Sequence, residues 1–137
     1  KKMRTYKNEK WDVLYSFAAD LLELVGLKSE LINKLQPAYA SGDTKYLKKC
    51  ANEIVPKTIK LLKSLREQRQ ARWLDVQKPF GFGKINAHYG EAIAEMEYTK
   101  FRLDSYVSGK LNKLEELEQE NLGFRYADDK KCEFRYI

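Results

Sequence analysis

Arg72-Trp73-Leu74-Asp75-Val76-Gln77-Lys78-Pro79-Phe80-Gly81-Phe82-Gly83-Lys84 divides a chain that otherwise reads as long amphipathic helix. Pro79 disfavours helical geometry at Lys78. Gly81 and Gly83 then open backbone angles that other residues avoid. The break also carries much apolar mass, because Trp73, Phe80 and Phe82 lie in or beside it. A solvated loop is normally polar, so these rings are expected to be covered by the helices or by a neighbouring body.

The stretch before the break reads as a helix with Leu47, Cys50, Ala51, Ile54, Thr58, Leu61, Leu62 and Leu65 inward, interrupted by Pro56, which predicts a kink or a split. Its last third, Arg66 to Arg72, is polar all round, as in a helix that has left a bundle or leans on another body. After the break, Asn86 is the expected cap of a third helix with Tyr89, Ala92, Ile93, Met96, Thr99, Leu103, Tyr106 and Val107 inward. Ser108-Gly109 is its stop. Leu111, Leu114 and Leu117 give a shorter helical stripe. Glu115, Glu116, Glu118 and Glu120 crowd its end, so that segment needs packing or a basic partner.

Toward the N-terminus, Asn8 is the expected cap of a first helix of about 30 residues, about 45 Å long. Trp11, Leu14, Tyr15, Ala18, Leu21, Leu22, Val25, Leu31, Ile32 and Leu35 form its predicted inward face, and Glu30 and Lys34 an outer i,i+4 pair. Gly26 reads as a close-packing position or a slight bend. Gly42 and Asp43 stop this helix and cap the next, and so short a turn makes the two antiparallel neighbours. The expected fold is all-α: a three-helix antiparallel bundle of long helices with a short extra helix, over residues 1–122. Residues 123–137 form an irregular tail, where Phe124, Tyr126, Phe134 and Tyr136 are spaced like short extended pieces.

A chain of 137 residues suits one domain. Hydrophobic content of 43% supports a core, and 34% charged residues fit long exposed helix faces. Twenty-six basic residues against 20 acidic leave a net charge of +6, which tolerates an anionic partner without demanding one. No apolar run is long enough to cross a membrane, and no apolar signal segment is present. Cys50 and Cys132 lack CxxC spacing and His88 is the single histidine, fewer ligands than zinc requires. Two free thiols in a reducing, cytoplasmic setting are expected, with one Cys50–Cys132 disulfide as the alternative. The two ends read as those of a segment cut from a longer polypeptide.

Chemistry is sparse. Gly81-Phe82-Gly83-Lys84 lacks the spacing and the preceding strand of a phosphate loop. His88 has no Ser or Cys partner in view, and Cys50 lies on an apolar stripe as a small core residue. Glu115, Glu116, Glu118 and Glu120, like Asp128-Asp129, read as solvated charge, with nothing to hold one carboxyl protonated as paired-carboxylate glycosidases require. Lys45, Lys48, Lys49, Lys57, Lys60, Lys63, Arg66, Arg69 and Arg72 make the second helix basic enough to follow phosphates. They also fit a solvated face whose stems cover apolar surface. No cofactor or metal is expected.

The order of motifs carries more. Leu27-Lys28-Ser29-Glu30-Leu31 precedes Ala38-Tyr39-Ala40-Ser41-Gly42-Asp43, then Leu61-Leu62-Lys63-Ser64-Leu65, Arg72-Trp73-Leu74 and Lys78-Pro79-Phe80-Gly81-Phe82. Tyr89-Gly90, Arg102-Leu103-Asp104-Ser105-Tyr106 and Leu114-Glu115-Glu116-Leu117-Glu118 follow. This series resembles the helical C-terminal domain of certain bacterial family-twenty glycoside hydrolases, the exo-acting β-N-acetylhexosaminidases, from about Trp11 to Leu122. Gly83 and Glu91 stand where such domains tend to carry an acidic residue and a second glycine. The resemblance implies a parent that removes terminal N-acetylglucosamine or N-acetylgalactosamine, using an Asp-Glu pair on a TIM barrel. This chain has no Asp-Glu dipeptide and no βα repeat, so no catalytic residue carries over.

The expectation is therefore a non-catalytic domain packing on the TIM barrel of its own polypeptide, with a second subunit as a further partner. Trp73, Lys78, Pro79, Phe80, Phe82, His88 and Tyr89 are the expected interface. A stand-alone basic module that binds nucleic acid or a protein partner is the alternative.

Overall fold

The computed structural model describes residues 11–119, and every regular element among them is helical. Helix α1 spans Asp12–Ala40, with Asp12 in its first turn where a negative charge suits the helix dipole. The expected cap Asn8, the second thiol Cys132 and the tail over 123–137 lie outside the described residues. Gly42, at φ +69°, ends the helix, and the Asp43 amide reaches back to the Ala38 carbonyl at 2.9 Å. Asp43 then caps the next element, its carboxylate accepting from the Tyr46 amide at 3.0 Å.

The second rod has three parts: α2 (Thr44–Lys49), a π-helical turn (Cys50–Ile54) and α3 (Val55–Val76). Pro56 does not split the rod, which stays helical from Thr44 to Val76. Its ring would crowd the carbonyl four residues back and its nitrogen cannot donate. The helix widens by one residue just before it, so the Val55 amide bonds to the Cys50 carbonyl five residues back. All eight predicted inward residues of this rod are buried, joined by Val55, and the Thr58 hydroxyl donates to the Ile54 carbonyl at 2.9 Å.

Helix α4 spans Phe82–Val107. It starts five residues earlier than expected: Gly81 occupies the cap position, and Asn86 is an exposed interior residue. Ile93, Met96 and Leu103 are buried, and Tyr89, Ala92, Tyr106 and Val107 pack partly against the same core. After Gly109 (φ +75°) the Ser105 carbonyl accepts from both Lys110 and Leu111 amides. Among the described residues a single helical turn follows, α5 (Glu115–Glu118), in place of the predicted stripe over Leu111, Leu114 and Leu117. Leu114 nevertheless enters the core, at 1% exposed.

The inward face of α1 differs most from expectation. Its buried line is Asp20, Leu24, Leu31 and Ala38, with Phe17, Leu27 and Leu35 beside it. Leu14, Leu21, Leu22, Val25 and Ile32 are exposed instead. Two apolar seams of helical spacing run along α1, and periodicity alone does not choose between them. The partner chooses: Asp20 accepts from Gln68 at 2.7 Å and from Ser64 at 3.3 Å. Further along, Glu23 pairs with Lys57, and Glu30 with Lys49 and Tyr46. Gly26 is no close-packing position, since a Cβ there would meet nothing within 4 Å.

Candidate docking corner

The corner between α3 and α4 is held by its own backbone and one side chain. Gln77 is extended (φ −136°, ψ 161°) and its amide closes the last turn of α3 onto the Trp73 carbonyl at 2.8 Å. The Trp73 indole Nε1 donates to the Lys78 carbonyl at 2.9 Å, bridging the helix end to the loop. Gly81 takes φ +90° and turns the chain into α4. The rings of Trp73 and Phe82 meet across the corner with centroids 6.0 Å apart, tilted by 48°.

Of the seven residues expected to form an interface, Trp73 and Phe82 are thus packed together and half-buried. Lys78 and Pro79 are exposed on the loop, and Phe80 stands at its tip with 84% of its surface in solvent. Leu74 and Val76 on the last turns of α3 are exposed beside it. His88 lies in solvent with Nδ1 3.7 Å from Glu91. Tyr89 faces the other way, partly buried against the core.

A second constellation was not assembled by sequence reasoning. Arg102 on α4 donates from Nε to Glu116 at 2.9 Å and from Nη2 to Glu115 at 2.7 Å. It is the basic partner that the glutamate-rich segment required. The backbone amide of Glu115 and the Arg102 guanidinium hold the Glu115 carboxyl below its ordinary range, and hydrogen bonds from Arg102 do the same for Glu116. The same bonds, Glu116 first, raise Arg102. Tyr39 receives the Leu114 amide at 3.1 Å and donates to Glu118 at 3.0 Å, with its ring edge-on to Tyr106. The Leu114 bond lowers the Tyr39 phenol, but burial and Glu118 outweigh it and the net shift is upward. These groups fasten the segment after α4 to the rods. A carboxylic acid kept protonated for proton donation is the opposite of what Arg102 creates.

Burial pushes the Cys50 thiol up, which makes it an inert core group as expected. On the basic helix, Lys49, Lys57 and Lys63 are matched by Glu30, Glu23 and Glu97 at 3.8, 2.6 and 2.9 Å. That leaves the face a broken track for phosphates. Among the described residues, no three His, Cys, Asp or Glu side chains come together as metal ligands. No described helix is long and apolar enough to cross a membrane.

No curated protein matches this chain. A family model does, described as the Glycoside Hydrolase 20C C-terminal domain, over residues 1–135. With nearly the whole sequence matched and helical elements throughout the described residues, the chain belongs to the family of Glycoside Hydrolase 20C C-terminal domains.

Proposed function

We propose that this chain is the non-catalytic helical domain of a bacterial β-N-acetylhexosaminidase whose parent removes terminal N-acetylhexosamine from glycans. A C-terminal domain of this family implies a catalytic domain in the same polypeptide. In our reading the three long rods form an antiparallel bundle. Its support is the opposed order of the pairings: Asp20 with Gln68 and Glu30 with Tyr46, then Trp73 with Phe82 and Lys63 with Glu97. The corner bearing Trp73, Lys78, Pro79, Phe80, Phe82 and His88 docks on the TIM barrel, with Tyr89 packing that end of α4 onto the core behind it, and a second subunit is a further partner. A cytoplasmic setting fits the free thiol of Cys50.

Phe80 is the observation that carries the docking. A loop normally hides such a ring or lacks it, yet here a left-handed glycine and an indole-to-carbonyl bond hold a benzyl group out in water. Leu74 and Val76 extend the apolar surface around it, which suits a pocket on a partner domain. Two measurements test the reading. The isolated chain should be helical by circular dichroism and leave a chromogenic N-acetylglucosaminide untouched; hydrolysis by it would overturn the non-catalytic assignment. In the full polypeptide, Phe80→Asp should lower the melting temperature of the catalytic domain, and an unchanged melting curve would refute the docking corner.

A further inference from the structure

The outer face of α1 carries Leu14, Leu21, Leu22, Val25 and Ile32, between 42% and 63% exposed, in a stripe about 27 Å long. It is separate from the corner just described, and an apolar surface of that length calls for an occupant. Leu14, Ala18, Leu21, Val25, Lys28 and Ile32 follow one another at alternating steps of four and three, the seam spacing of a two-stranded coiled coil. That seam is narrower than the face a helix sets against a globular core, and α1 gives its core a different line, through Asp20, Leu24, Leu31 and Ala38. The side chains along the seam also match one another about its middle, level with residue 23. Leu14 mirrors Ile32, Leu21 mirrors Val25, and the one charge, Lys28, mirrors the smallest side chain, Ala18. A two-fold axis crossing α1 there requires such a match, because each residue then meets its mirror position on another copy.

We propose that α1 pairs antiparallel with α1 of a second copy of this chain, Leu14 packing on Ile32 and Leu21 on Val25 across the axis. Charge selects the direction. Antiparallel, the two Lys28 ammonium groups stand roughly 15 Å apart along the helices, beyond the Debye length of about 8 Å at physiological salt. Each Lys28 stem then crosses Ala18 of the other copy, whose small side chain leaves it a way out to water. Parallel and in register, Lys28 would face Lys28. A contact about 27 Å by 10 Å covers roughly 300 Å² on each copy, well under the ~800 Å² that each partner gives a standard stable interface. The pair is therefore one that dissociates on dilution. The pairing rests on the proposed function, whose second subunit it supplies with a surface. The Asp20–Gln68 bond sets the last turns of α3 level with the first turns of α1, so the axis sends the two Phe80 corners to opposite ends, each toward its own catalytic domain.

Sedimentation equilibrium of the 137-residue chain, from about 1 μM to about 1 mM, should show the mass rising from one chain to two. Leu21→Asp/Val25→Asp changes two exposed positions and leaves the buried line of α1 intact, so it should keep the circular dichroism and raise the dissociation constant at least about tenfold. Cross-linking in a Cys132→Ser background, with Cys50 buried, reads the direction: Leu14→Cys and Ile32→Cys chains should form disulfide dimers when mixed and not when either is oxidised alone. These cross-links decide the question should the double variant fail to fold. A mass of one chain throughout would overturn the pairing, and cross-linking of either cysteine variant with itself would overturn the antiparallel seam. A dimer indifferent to the two aspartates would overturn it too, assigning the second subunit to another face while the proposed function stands. None of these substitutions touches the Phe80 corner, so Phe80→Asp in the full polypeptide reports on the docking separately.

Discussion

Two glycines two residues apart should respond to the same substitution with opposite signs. Gly81 sits at φ +90°, where an L-side chain is strained by about 1–2 kcal/mol. Space is not the obstacle: a Cβ there would lie 3.6 Å from Trp73 Cζ2, an ordinary contact. Alanine also narrows the unfolded ensemble, which returns about 0.4–1 kcal/mol, so Gly81→Ala should destabilise the chain by about 1 kcal/mol. Gly83 lies inside α4, outside the left-handed region, and a methyl group added to it would meet nothing within 4 Å. There alanine is the better helix former, and Gly83→Ala should stabilise by about 0.5–1 kcal/mol. The difference between the two variants, about 1.5–2 kcal/mol, corresponds to roughly 5–8 °C in melting temperature for a domain of this size. Urea unfolding followed at 222 nm should give equal m-values and midpoints that bracket the parent. If Gly81→Ala matches the parent or exceeds it, the strained-turn account of the corner, and with it the rigid presentation of Phe80, is wrong.

Three other outcomes follow from the packing and the charges. Leu103→Ala, at a site 1% exposed, should cost about 2–5 kcal/mol in urea unfolding, whereas Phe80→Ser in the isolated chain should stay within about 0.5 kcal/mol of the parent. Glu115 and Glu116 have folded values below the ordinary 4.5, so their contribution is complete above that pH and is lost as pH falls through the lower folded values. The stability gap between the parent and Arg102→Met should therefore close in acid below about pH 4.5, with both glutamate carboxyl resonances titrating higher in the variant; a gap independent of pH would contradict the Arg102 clamp. Cys50, buried and with its thiol raised, should react with a thiol reagent at pH 8 only as fast as the chain unfolds, measured in a Cys132→Ser background.

Residue order alone determined a great deal here. The all-helical class, the eight inward residues of the second rod, the Gly42-Asp43 turn and the stop at Ser108-Gly109 all rest on local rules: a 3.6-residue period, capping chemistry and the left-handed tolerance of glycine. The Lys-Pro-Phe-Gly-Phe corner stood out for the same reason, since apolar rings beside helix breakers are visible without coordinates. The pull of a glutamate run for a basic partner was also legible; which residue answered it was not.

Tertiary structure decided what depends on a partner. Helix α1 offers two seams of nearly equal apolar content, and Ser64 and Gln68 choose between them by receiving Asp20. Pro56 requires an adjustment, but whether a helix kinks, splits or widens depends on the packing on either side, and here the π-helical turn keeps Cys50, Ala51 and Ile54 in the core. Which rings turn inward at the corner is likewise set by geometry. Gly81 directs the chain so that Phe82 meets Trp73 while Phe80 is left in water. Local patterns state what a segment can bury; only the neighbours across the core state what it does bury.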